Sequence, residues 1–159
     1  SANTFFILET ITILWFTFST ACLAFLLSVP GRFKPRMIGY ALVPLLSWVG
    51  LLFIQNGAFF PVFSVKILSS VPGGSCARDL ATLCVVPALI IFSMLRLASP
   101  QKRSLIGYVG LLSSFGLAAF GLQFICGALS SPVHVLMFHV SPAVGLSLLG
   151  LFFGKVLIK

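Results

Sequence analysis

Acidic side chains are nearly missing from this sequence: Glu9 and Asp79 are the only two in 159 residues. Charge of either sign is scarce, at 8% of residues, where an ordinary soluble domain carries about 25%. So little charge excludes a conventional water-facing surface. The local patterns of common chemistries are missing as well. No Cys-x-x-Cys is present, which removes a thioredoxin-like motif. Neither a P-loop, a His-Glu-x-x-His nor a Gly-x-Ser-x-Gly occurs, so nucleotide hydrolysis, zinc proteolysis and serine hydrolysis have no signature here. The opening Ser1-Ala2-Asn3-Thr4 has no initiator Met and none of the basic and small-residue features of a signal peptide.

Apolar surface is what the chain has in excess. Hydrophobic residues make up 59% of it and its mean hydropathy is +1.17. A soluble fold of this length has no interior large enough to hide that surface, so the bilayer is the expected solvent. A spanning helix takes roughly 20 apolar residues, which leaves room for about five spans in a single domain. The expected fold is therefore an all-α integral membrane bundle. Its spans cover 5–29, 37–54, 79–97, 105–126 and 133–158, separated by Pro-, Gly- and charge-bearing connections. A soluble bundle would show one polar face at a 3.6-residue period, and these segments are apolar all round.

The net charge of +8 would suggest nucleic acid in a soluble protein. Here the basic residues flank apolar runs and serve as topology signals, so no direct nucleic-acid partner is expected. Arg32, Lys34 and Arg36 lie after the first segment, Arg96, Lys102 and Arg103 around the third turn, and Lys155 and Lys159 at the C-terminus. With five spans these fall on one side, while Lys66 and Arg78 fall on the other. The positive-inside rule then places the C-terminus in the cytoplasm and the visible N-terminus outside. An outside N-terminus without a cleavable signal becomes natural if one more helix precedes Ser1, making these the last five spans of six.

Of four cysteines, Cys22 and Cys84 fall inside apolar segments, where a thiol behaves as a small hydrophobe. Cys76 and Cys126 fall at the outer boundary, and the two intervening spans return the chain to the same membrane face. The residues alone leave two readings open, a disulfide-capable pair in an oxidising compartment or two incidental boundary cysteines. His134 lies close to Cys126 and is either a third soft-metal ligand or an interfacial histidine holding a hydrogen bond. His139 is expected deeper, facing the bundle as an intramembrane polar contact; a spacing of five is poor for sharing an α-helical face with His134. Glu9 is an intramembrane polar contact too, open to a functional role or to water near the outer end of its segment. Asp79 is expected to head the third segment, where a carboxylate meets a helix N-terminus favourably. Small-residue stripes, Gly110-Ser114-Ala118, Ser141-Gly145 and Gly150-Gly154, mark the last two segments as central to the packing.

Between Gly74 and Lys159 a set of features follows in order: Cys76, Leu95-Arg96 with Pro100, the Gly/Ala-rich run Gly107 to Gly121, Cys126, Ser131-Pro132, and Leu148-Leu149-Gly150-Leu151-Phe152-Phe153-Gly154-Lys155. In these features the stretch resembles the C-terminal half of the NrsF family, bacterial integral-membrane anti-sigma factors. The first two segments match in hydropathy only. This chain reads Phe138-His139 where the family usually has Trp-Tyr, and Gly127-Ala128-Leu129 where acidic residues are common.

The resemblance implies a six-span, multi-pass protein of the bacterial inner membrane with no cofactor and no enzymatic activity. It would sequester an extracytoplasmic-function sigma factor and release it on oxidative or heavy-metal stress sensed at Cys76 and Cys126. Sigma capture would use a cytoplasmic N-terminal region outside this sequence; membrane lipid and other membrane proteins are the remaining partners. Two other classes fit the residues. One is an accessory subunit of a larger membrane complex. The other is a membrane thiol oxidoreductase, which would need a second exchanging thiol pair that buried Cys22 and Cys84 do not supply.

Overall fold

In the computed structural model, residues 2–32, 34–55, 74–97, 102–126 and 132–158 are described. Helices account for nearly all of them: α1 (Ala2–Ser28), α2 (Met37–Gln55), α3 (Gly74–Leu95) and α4 (Arg103–Leu122). The last stretch comprises α5 (Pro132–Val135), a π-helical turn (Leu136–Val140), α6 (Ser141–Ser147) and α7 (Leu149–Leu157). Five helical stretches, the last running Val133–Leu157, are long and apolar enough to cross a membrane. No strand occurs among the described residues. The connections expected at 56–73, 98–101 and 127–131, with Lys66 among them, lie outside the described residues, as does Lys159.

Hydroxyls within the helices bond to their own backbone, which suits helices able to face an apolar solvent. In α1 the hydroxyls of Thr12, Thr17 and Thr20 donate to the carbonyls of Leu8, Ile13 and Phe16, four residues back, at 2.7–2.8 Å. The helix ends at Ser28, and in the turn that follows Gly31 takes a φ of +75°, a left-handed conformation cheap only for glycine. Pro44 and Pro87 stand inside α2 and α3. Each removes one backbone bond, a cost spanning helices tolerate when neighbouring groups compensate.

Helix α4 is the centre of the bundle: 72% of its apolar stretch is buried inside the protein, against 22% for α2 and for α3. Helices α1, α3 and the last stretch pack around it. The contact with α7 is backbone to backbone. A Cβ added at Gly107 would meet the Gly150 carbonyl and the Gly154 backbone, and one at Gly154 would meet the Arg103 carbonyl. Across α1, Ser113 Oγ donates to the Thr17 carbonyl at 3.0 Å. Of the two helices expected to be central, α4 is, while the last stretch lies outside it with Gly150 and Gly154 turned inward and Ser141 and Gly145 exposed. Large apolar side chains such as Leu46, Val86, Leu89 and Phe152 remain exposed, which fits a lipid surround.

These packings sort the Lys and Arg residues by end. The N-terminal part of α1 meets the C-terminal end of α4 through Thr10 and Gln123, and Gly154 meets Arg103. Arg32, Lys34, Arg36, Arg96, Lys102, Arg103 and Lys155 therefore share one end, and Arg78 is the one described Lys or Arg at the other. Helix α3 opens at Gly74, well before residue 79. Asp79 accordingly sits in the second turn, clear of the helix terminus it was expected to head, and pairs with Arg78 at 3.5 Å on the surface.

Candidate functional site

At the end of the bundle opposite the basic residues, three elements bring four soft donors together. Cys76 stands in the first turn of α3. Cys126 follows α4 after the turn Gln123–Ile125, its amide anchored to the Leu122 carbonyl at 2.8 Å. Their sulfurs are 3.5 Å apart and both thiols are free. The Cys126 sulfur also lies 3.4 Å from Nε2 of His134, in α5. The cysteines are partly buried, whereas His134 and His139 are 0% and 1% exposed.

His139 belongs to this group, which its spacing argued against. Along an α-helix five residues overshoot one turn by about 140°. The π-helical turn widens that step, because its bonds run between residues five apart. The Ser141 N–H donates to the Leu136 carbonyl in that register. His139 is thereby brought edge-on to His134, with ring centroids 5.5 Å apart and ring planes at 70°. A local cause is visible in the sequence. Pro142 has no N–H to offer the Phe138 carbonyl four residues back, and its ring crowds that carbonyl. One donor atom from each of Cys76, Cys126, His134 and His139 lies within 4.8 Å of every other. The buried Nε2 of His139 meets no hydrogen-bond partner among the described residues.

Glu9 is in a separate polar group. It is 6% exposed, so water does not bathe it, and its Oε1 accepts a hydrogen bond from Trp48 Nε1 of α2 at 3.2 Å. Beside it the Thr10 hydroxyl lies 2.7 Å from Gln123 Oε1. The Gln123 amide nitrogen is buried without an acceptor among the described residues. Sequence reasoning passed over Gln123 because one amide at a helix end carries no periodic signal. Cys84 is buried in the core and Cys22 is partly buried, both away from the Cys76–Cys126 pair.

A family model described as "Negative regulator of sigma F" matches residues 1–159, the whole chain. The chain belongs to the NrsF family. No curated protein and no solved structure matches it. The NrsF match takes in α1 and α2, which hydropathy alone had related to the family. The name of the family is that of a negative regulator of a sigma factor, which makes a sigma factor the partner class and transcription the process controlled. Against that background the four-donor cluster offers two chemistries. Its adjacent thiols are placed for joining as a disulfide, and its thiols and imidazoles together are placed for holding a soft or borderline cation.

Proposed function

We propose that this NrsF chain is a non-enzymatic, membrane-bound anti-sigma factor. It holds an extracytoplasmic-function sigma factor at the bacterial inner membrane and releases it when Cys76 and Cys126 react with an oxidant or a heavy metal. The observation that carries the reading is the 3.5 Å approach of two free thiols contributed by different helices. An oxidant such as a peroxide accepts two electrons from the pair; the two thiols lose their protons and one S–S bond forms between them.

Supporting the orientation, the basic residues gather at the opposite end of the bundle, which the positive-inside rule assigns to the cytoplasm along with the C-terminus. The sensing pair then faces outward. A signal at the cysteines releases sigma only if it favours one helix packing over another. Such a preference is available here, because the new bond joins α3 to the end of α4, against which α1, α3 and the last stretch all pack. A thiol oxidoreductase would need a second pair to exchange with, and Cys84 is buried in the core.

The test is a sigma-dependent reporter in cells carrying Cys76→Ser or Cys126→Ser, scored with co-purification of the sigma factor. Either substitution is expected to abolish induction by peroxide while the sigma factor stays bound. Undiminished induction in both variants would overturn the sensor assignment.

A further inference from the structure

We propose that Cys76, Cys126, His134 and His139 form a tetrahedral Cys2His2 centre for a divalent cation of the zinc type. The proposal deepens the sensor reading and rests on it for its regulatory meaning; the ligand set itself stands on geometry.

Zinc binds thiolate at about 2.3 Å and imidazole at about 2.0–2.1 Å, so a tetrahedral site needs its donors about 3.4–3.8 Å apart. The Cys76–Cys126 and Cys126–His134 separations, 3.5 and 3.4 Å, already match. No pair in the set exceeds 4.8 Å, so closure asks for side-chain movements of about 1 Å by the same geometry. The buried, unpartnered Nε2 of His139 is a second and independent sign. A buried polar atom without a partner is uncommon in native proteins and calls for an ion or water. The π-helical turn contributes the fourth ligand, since an α-helical register would turn His139 away from His134.

Donor chemistry selects the ion. Two sulfurs and two nitrogens in a tetrahedron suit zinc and related soft or borderline ions. Calcium and magnesium require oxygen ligands, and neither Glu9 nor Asp79 is in the cluster. Charge agrees. Binding releases one proton from each thiol, and the two thiolates cancel the charge of a divalent cation. The loaded centre is neutral, as a partly buried site at the end of an apolar bundle requires. It also ties α3, the end of α4 and the last stretch together at one point. Oxidation to a disulfide consumes both thiolate ligands, so an oxidant would expel the ion.

The experiment is a Co2+ titration of the reduced, full-length protein in detergent, followed by visible absorption. Tetrahedral Co2+ bands saturating at one equivalent and bleached by Zn2+ are expected. His139→Phe and His134→Phe should each weaken Co2+ binding at least tenfold and alter the bands, with helix content checked by circular dichroism. His139→Asn, smaller and polar, should behave the same way and guards against a packing artefact. Absence of tetrahedral bands overturns the proposal, and so does wild-type affinity in both phenylalanine variants, which would mean a dithiol site alone. The sigma-dependent reporter separates the two readings. Peroxide induction through the cysteines without Co2+ bands removes the metal centre and leaves the sensor. One-equivalent Co2+ binding in a protein that never retains a sigma factor leaves the centre and removes the sensor.

Discussion

Replacing Gly107 by Ala tests whether the bundle is held by direct backbone contact between α4 and α7. The new Cβ would meet the carbonyl of Gly150 and the Cα and N of Gly154. All are main-chain atoms, so no side chain can rotate aside and the two helices must separate. Inserting one carbon into a tight interface costs about 1–3 kcal/mol, and backbone neighbours put this position at the upper end. Against that, alanine is favoured over glycine in a helix by about 1 kcal/mol. The net expectation is a destabilisation of about 2 kcal/mol, roughly a thirtyfold fall in the folding constant. Gly145→Ala is the internal control, because its Cβ would meet nothing within 4 Å. It should be neutral or stabilising by up to about 1 kcal/mol. Reversible unfolding in mixed detergent micelles, followed by tryptophan fluorescence, measures both. Equal effects in the two variants would refute the close-packing argument.

Trp48→Phe removes the donor to Glu9 while keeping an aromatic ring beside Phe16. It should cost about 1–3 kcal/mol in the same unfolding assay, and Glu9→Gln added to the Trp48→Phe variant should recover part of the loss. Pro142→Ala restores the N–H that an α-helical register needs. It is expected to shorten the π-helical turn and weaken Co2+ binding at least tenfold, with Cys76–Cys126 crosslinking by a mild oxidant unchanged. In that crosslinking assay a non-reducing gel should show an intramolecular bond that Cys22→Ser and Cys84→Ser leave intact and Cys126→Ser removes.

Much of the architecture was legible because hydropathy over 20 residues is a strong, local signal. The five apolar helices follow from it, and so do the basic residues at one bundle end. The start of α3 was misplaced because Gly74, Ser75 and Arg78 look like a connection, yet they continue a helix whose later turns supply the driving force. The Cys76–Cys126 approach was half legible. Chain direction brought both thiols to one face, while their 3.5 Å separation depends on how α3 lies on α4. His139 was assigned by the usual helical period, and the period itself changes between Leu136 and Val140. Glu9 was read as the one acid in its helix; its partner Trp48 is 39 residues away and belongs to α2.

The position of α4 gives the cluster a physical route to the other end. Its C-terminal side carries Cys126 beside Cys76 and His134, and its N-terminal side holds Gly107 and Arg103 against the backbone of α7. An interface packed backbone to backbone has no soft side chains to absorb a displacement. A tilt of α4 imposed at the cysteines is therefore passed to α7 as a shift of the whole helix, since close-packed interiors transmit strain. The basic residues Arg103 and Lys155 ride on those two helices. If a bond at Cys76 and Cys126 changes what a cytoplasmic partner meets, the change should pass through this glycine contact. Gly107→Ala, in protein that remains folded, should then uncouple sigma release from cysteine oxidation. Disulfide formation would persist on a non-reducing gel while the reporter response fell. A full response with the contact broken would place the route elsewhere in the bundle.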